Sequence, residues 1–122
     1  PYVNLITPNL FEATRLVMQA GLQANSQKEL ALACLELGAI AALVKGGHYS
    51  GEECVDLLAT DDEKTFTFSR QRIPGGSKVR GTGCRLATAI ACFQSKGHEL
   101  KDSVGLACEY LFGYISAQVD PG

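Results

Sequence analysis

The string Arg80-Gly81-Thr82-Gly83-Cys84 heads an alanine-rich stretch with helical periodicity. Glycines there let backbone N–H groups turn toward a ligand, and a helix N-terminus adds about half a positive charge, so the string can hold an anion. Cys84 falls in the first helical turn, where the helix dipole and the neighbouring Arg80 and Arg85 favour a thiolate. It is the one cysteine with a chemical role open to it. Read without chemistry, the same residues are a tight loop with positive φ at both glycines and a small, inert core cysteine.

Two further strings have the same double character. Thr7-Pro8-Asn9-Leu10-Phe11-Glu12 reads as a strand-to-helix turn with Asn9 at the cap and Glu12 one turn on. An Asn and a carboxylate at that spacing can organise a hydrated Mg²⁺ beside phosphates, because Mg²⁺ keeps most of its waters and takes few protein ligands. They are equally a helix cap followed by an acidic third residue, sufficient on its own. Val44-Lys45-Gly46-Gly47-His48 delivers a lysine and two glycines to the end of a strand. Lysine offers a point charge for phosphate and the glycines allow close backbone approach. The plain alternative is a surface lysine before a glycine turn, with His48 a loop histidine. GxxxxGK[ST], HExxH and GxSxG are all absent from the sequence.

The elements that must position these strings follow from periodicity. Tyr2 to Ile6 is β-prone, and Phe11 to Ala20 resumes as a helix after the Thr7-Pro8-Asn9 interruption. Ser26 followed by Glu29 predicts a capping box, with Leu30, Ala33, Cys34 and Leu37 on one face and Gly38 as the stop. Ile40 to Val44 is a strand. Glu53 to Ala59 and Thr65 to Ser69 alternate around the polar tip Thr60-Asp61-Asp62-Glu63, which predicts a hairpin. Ile73 to Arg80 is a flexible loop. The helix from Cys84 to Ser95 is so uniformly small or apolar that it is expected to be buried nearly all round. A last helix, about Leu100 to Gln118, gathers Val104, Ala107, Cys108, Leu111, Phe112 and Ile115 on one broad face. This order implies an α/β layered domain with ligand sites beyond the strand C-termini.

Composition bounds the function. The chain has 122 residues, enough for one domain that buries about two thirds of its unfolded surface. An apolar fraction of 46%, a charged fraction of 20% and a net charge of -2 point to an ordinary globular protein and away from a nucleic-acid-binding surface. Five cysteines without CxxC or Cys/His ligand spacing argue against a disulfide framework or zinc site and for a reducing cytoplasm. No stretch approaches the roughly 18 apolar residues of a membrane span. The chain opens at Pro1 directly into an apolar run, which reads as a chain cut at the edge of a strand.

Taken in order, Leu5-Ile6-Thr7-Pro8-Asn9-Leu10-Phe11-Glu12-Ala13, Leu43-Val44-Lys45-Gly46-Gly47-His48 and Gly81-Thr82-Gly83-Cys84 resemble the hydroxymethylpyrimidine/phosphomethylpyrimidine kinases of the ribokinase superfamily. The likeness runs along nearly all of the chain, including the Lys96-Gly97-His98-Glu99-Leu100 joint, and corresponds to the C-terminal half of such an enzyme. It implies an α/β fold, a ribokinase-like three-layer αβα sandwich around a mainly parallel sheet with a hairpin, residues 1–122 being a single domain or that C-terminal half. It also implies cytoplasmic, ATP- and Mg²⁺-dependent phosphorylation of hydroxymethylpyrimidine and its monophosphate in thiamin biosynthesis.

On that resemblance Gly81, Thr82, Gly83 and Cys84 form the catalytic anion hole, and Asn9, Glu12, Lys45, Gly46 and Gly47 serve the nucleotide, with Asn9 and Glu12 also organising the metal. The expected partner is a small pyrimidine, with no nucleic acid and no membrane, and with either a homodimer or a missing N-terminal half. The family commonly has His before the GTGC string and Thr after it, where this chain has Arg80 and Arg85. Two other readings stay open: a pyridoxal kinase-like enzyme, and a nucleotide-binding domain that turns nothing over.

Overall fold

The structure, a computed structural model, describes residues 5–46, 53–71, 73 and 81–119. The chain divides into two compact units, Pro1–Ser69 and Arg70–Gly122. Within the described residues the elements are β1 (Leu5–Ile6), α1 (Leu10–Gln19), α2 (Gln27–Glu36), β2 (Ala41–Val44), β3 (Glu53–Thr60), β4 (Thr65–Gln71), α3 (Thr82–Ser95) and α4 (Leu100–Val119). That is the predicted order, with ends shifted by a residue or two. The N-terminal part of the first predicted strand and all of the Ile73–Arg80 loop except Ile73 lie outside the described residues.

The first unit is built on a four-stranded sheet in the order β1-β2-β3-β4. β1 pairs with β2 in parallel, Leu5 with Ala41 and Ile6 with Ala42. β2 pairs with β3 antiparallel, from Ala41 with Thr60 to Val44 with Leu57. The sheet expected to be mainly parallel is therefore mixed among the described residues. Geometry accounts for the difference: parallel β1 and β2 are bridged by two helices, whereas β3 and β4 are joined by a short turn that only an antiparallel pair can use. At that turn Glu63 takes φ 65°, with Glu63 N bonded to Thr60 O and Thr60 N to Lys64 O, the geometry of a type I turn closed by a left-handed residue.

The core of this unit comes from periodicity. Ala13 and Val17, four apart on α1, and Leu30, Ala31, Ala33 and Cys34 on α2 pack with Ala42, Val44, Leu57 and Ala59, which the register places on one face of the sheet. Leu43 and Leu58 face each other across the other side of the same ladder and are also fully buried. Each such Val or Leu contributes about 1.5–3 kcal/mol, and a Leu-to-Ala truncation costs about 2–5 kcal/mol. Burial raises the pKa of the Cys34 thiol above its ordinary value. Leu37, expected on the inner face of α2, is 45% exposed because the helix ends at Glu36 and Leu37 is already its C-cap.

The second unit holds α3 and α4, joined by a Schellman turn. Gly97, at φ 98°, donates to Gln94 O at 2.9 Å, His98 N donates to Phe93 O at 3.3 Å, and the Phe93 and His98 rings meet edge to face. From α4, Val104, Ala107, Cys108, Leu111 and Ile115 are buried as predicted, joined by Ser103. From α3 only Leu86 and Ile90 are buried. The expectation that α3 is buried all round is thus corrected: Ala87, Ala91 and Cys92 are exposed. Small apolar residues make a helix apolar by composition without fixing how many of its faces are covered, and within this unit α4 covers one.

Candidate active site

The carboxyl ends of the two parallel strands lie side by side. Lys45 N donates to Pro8 O at 2.9 Å, and Asn9 and Lys45 form an isolated parallel bridge one step beyond the strands. This is where open α/β sheets hold ligands.

Asn9 is the N-cap of α1, extended at φ -77° and ψ 173°. Its side-chain Oδ1 accepts from Glu12 N at 2.8 Å, while Asn9 N donates to Glu12 Oε1 at 2.9 Å. Both halves of a capping box are present, so the plain reading of this pair is realised in full. What it leaves over is Glu12 Oε2 on an exposed side chain and the Asn9 side-chain N–H₂ on a half-buried one. Among the described residues no group of three or more His, Cys, Asp or Glu could cage a metal ion. This donor set fits a Mg²⁺ that keeps its waters and takes its other ligands from phosphates, and does not fit a fully protein-bound ion.

The end of β2 is held by two residues that no sequence string revealed. Gln27, in the first turn of α2, donates from Nε2 to Val44 O and to Val55 O, each at 2.8 Å. Asp56, buried to 2% exposure, accepts from Gly46 N at 3.1 Å. A Cβ on Gly46 would stand 2.2 Å from Val55 O, so the first glycine of the lysine string is required by the neighbouring strand. Its N–H is already bonded to Asp56 and so is not free to donate to a ligand. Gly47 and His48 lie outside the described residues.

The same local arithmetic gives a different result at the starts of α2 and α3. At α2, Ser26 Oγ accepts from Glu29 N at 3.1 Å, but Glu29 Oε1 reaches back to Asn25 N rather than Ser26 N. The predicted capping box is half of one, displaced by a residue. At α3, the N-cap is Gly81 at φ 77° and ψ 11°, no side chain caps the helix, and its first turn has no acidic residue. Gly81 O accepts from Arg85 N at 3.0 Å, which starts the helix two residues before the predicted Cys84. Positive φ is found at Gly81 but not at Gly83, which lies inside α3.

Thr82, Gly83 and Cys84 occupy the first three helical positions, whose N–H groups have no partner within the helix. Cys84 is exposed, one of two exposed cysteines with Cys92, and all five are free thiols. The Arg85 guanidinium lies 3.9 Å from the ring centroid of Tyr114 on α4. Arg80 is outside the described residues.

The fold is that of the ribokinase-like kinases. It is similar to a phosphomethylpyrimidine kinase from Clostridium difficile, with 28% identity, a TM-score of 0.66 and coverage of 92% of this chain and 43% of that one. It is also similar to a pyridoxal kinase from Entamoeba histolytica, with 29% identity, a TM-score of 0.77 and coverage of 95% and 42%. In sequence, a hydroxymethylpyrimidine/phosphomethylpyrimidine kinase from Streptomyces coelicolor is 38% identical over 120 residues, 96% of this chain and 42% of that protein. The phosphomethylpyrimidine kinase family matches residues 1–122, and the chain belongs to that family. It spans less than half the length of the relatives it matches. No helix among the described residues is long and apolar enough to cross a membrane.

Proposed function

We propose that the whole protein is a cytoplasmic kinase that transfers a phosphoryl group from ATP to hydroxymethylpyrimidine and then to its monophosphate in thiamin biosynthesis, and that this chain is the C-terminal half of its kinase domain. The observation that carries the reading is the uncapped, glycine-opened N-terminus of α3 in a chain of this family. Helix N-termini are ready-made sites for phosphate, and among the described residues α3 has neither a side-chain cap nor a first-turn carboxylate to compete with one.

In this reading the N–H groups of Thr82, Gly83 and Cys84 donate to the transferring phosphoryl oxygens and stabilise the charge that spreads over them. Lys45 supplies a point charge on the nucleotide side, and the glycines after it keep side chains out of the way. Asn9 and Glu12 orient the waters of a Mg²⁺, which when bound neutralises charge between phosphates. Cys84 stabilises the anion hole through its backbone and assists through its thiol; full turnover by a Cys84→Ala form of the whole enzyme would remove the thiol from the mechanism.

A second reading has its own observation. The TM-score with the pyridoxal kinase, 0.77, exceeds that with the phosphomethylpyrimidine kinase, 0.66. The elements shared with both serve the nucleotide, so acceptor choice is assigned to the rest of the protein. A third reading, a nucleotide-binding domain without turnover, retains the same anion site.

The test is ADP release from Mg-ATP by the whole natural protein, offered hydroxymethylpyrimidine and pyridoxal in parallel. Turnover with the pyrimidine is expected. Preference for pyridoxal selects the second reading, and binding of Mg-ADP with no release selects the third.

A further inference from the structure

The β2–β3 ladder stops at the pair Val44 and Leu57, one residue before Lys45. At that point two polar side chains replace the next rung. A primary amide has two N–H donors, and Gln27 uses Nε2 to reach Val44 O on one strand and Val55 O on the other. Asp56 then accepts from Gly46 N across the same gap. On the opposite side Lys45 N is bonded to Pro8 O. The Val44–Gly46 backbone is therefore held by three separate elements: the turn after β1 at Lys45 N, the first turn of α2 at Val44 O, and β3 at Gly46 N.

Packing does not account for this. An apolar residue would fill the Asp56 site without the cost of burying a carboxylate, which is tolerated where its hydrogen bonds are made. A hydrogen bond from a backbone N–H to a carboxylate is charge-assisted and directional, so it fixes the position of Gly46 more closely than contact alone. A displacement of about 1 Å at such a point is enough to cost a positioned group much of its effect.

We propose that Asp56 and Gln27 are positioning residues for nucleotide binding: they fix the end of β2 so that Lys45 leaves the sheet beside Asn9. The inference rests on the kinase reading above.

The test is Mg-ADP affinity and steady-state kinetics of the whole natural protein, at a temperature where each variant is folded by circular dichroism. Asp56→Ala is expected to weaken Mg-ADP binding about tenfold and to raise KM for Mg-ATP more than it lowers kcat. Asp56→Asn keeps an acceptor oxygen and is expected to restore affinity to within about twofold. Gln27→Leu removes both donors at similar volume and is expected to weaken binding about three- to tenfold, and it keeps the test open should Asp56→Ala fail to fold. Folded variants that bind Mg-ADP as the wild type does, with lower melting temperatures only, overturn the positioning role and leave the kinase reading standing. A wild-type protein that binds no Mg-ADP overturns the kinase reading and this inference with it.

Discussion

The N-termini of α1 and α3 lie at the heads of two helices of similar kind and solve the same problem in opposite ways. At α1 the Asn9 carboxamide and the Glu12 carboxylate each take a backbone N–H, and the acidic residue also opposes the helix dipole. At α3 a left-handed glycine opens the helix, a second glycine follows, and among the described residues no side chain caps the helix and no acidic residue lies in its first turn. The first arrangement stabilises the protein by about 0.5–2 kcal/mol. The second forgoes that gain and leaves the positive end of the dipole for something else. A helix start closed by its own chain gains stability, and a start left open is what the kinase reading requires for its anion.

The comparison breaks most visibly if α3 is given what α1 has. Thr82→Asp places a carboxylate in the first turn of α3, where the dipole favours it. The expected result is a melting temperature no lower than that of the wild type, with turnover by the whole enzyme reduced about 10²- to 10³-fold, the scale of losing an oxyanion-hole donor. Turnover that survives this change would mean that the anion does not sit there.

The converse change is smaller. Asn9→Ala removes the α1 cap and is expected to cost about 1 kcal/mol in denaturant unfolding. If the pair also organises Mg²⁺, the variant's KM for Mg-ATP rises in addition; an unchanged KM restricts Asn9 to capping.

The least perturbing probe leaves the sequence alone. With iodoacetamide, Cys84 and Cys92 are expected to label fast because both are exposed, while Cys34 labels only as the unit opens. Burial raises the Cys34 pKa, so its thiol binds a proton in the folded state that the unfolded chain has begun to release. That contribution to stability is fully present below the unfolded pKa and is lost as pH rises through the folded one. Labelling of Cys34 is therefore expected to accelerate in alkali more than exposure of a static thiol predicts. Protection of Cys84, but not Cys92, by Mg-ADP in a mass-spectrometric count would tie α3 to the nucleotide.

Much of this was legible in the sequence because its signals are local. Asn9 with Glu12, Ser26 with Glu29, and Gly38 act on backbone three or four residues away, and each marks a helix end within a residue or two. The mixed sheet was harder: a hairpin was predicted, yet the resemblance implied mainly parallel pairing, and the β2–β3 partnership spans residues that no local signal connects. Burial of α3 was overestimated because composition says how apolar a helix is and not how many faces are covered. Gln27 and Asp56 escaped altogether. Their partners are backbone atoms 17, 28 and 10 residues away, and a carbonyl or N–H leaves no mark on residue identity.

Gly46 has one more consequence. Since a Cβ there would collide with the Val55 carbonyl, the glycine answers to the sheet whether or not any nucleotide is bound. Lys45, half-buried and next to it, is held through its backbone N–H to Pro8 O, a bond that any residue but proline can make. A relative that had shed its chemistry would be free to change the lysine while still bound to the glycine. On the kinase reading the two neighbours thus form a diagnostic pair: the glycine reports on the scaffold, and the lysine beside it on the nucleotide site proposed there.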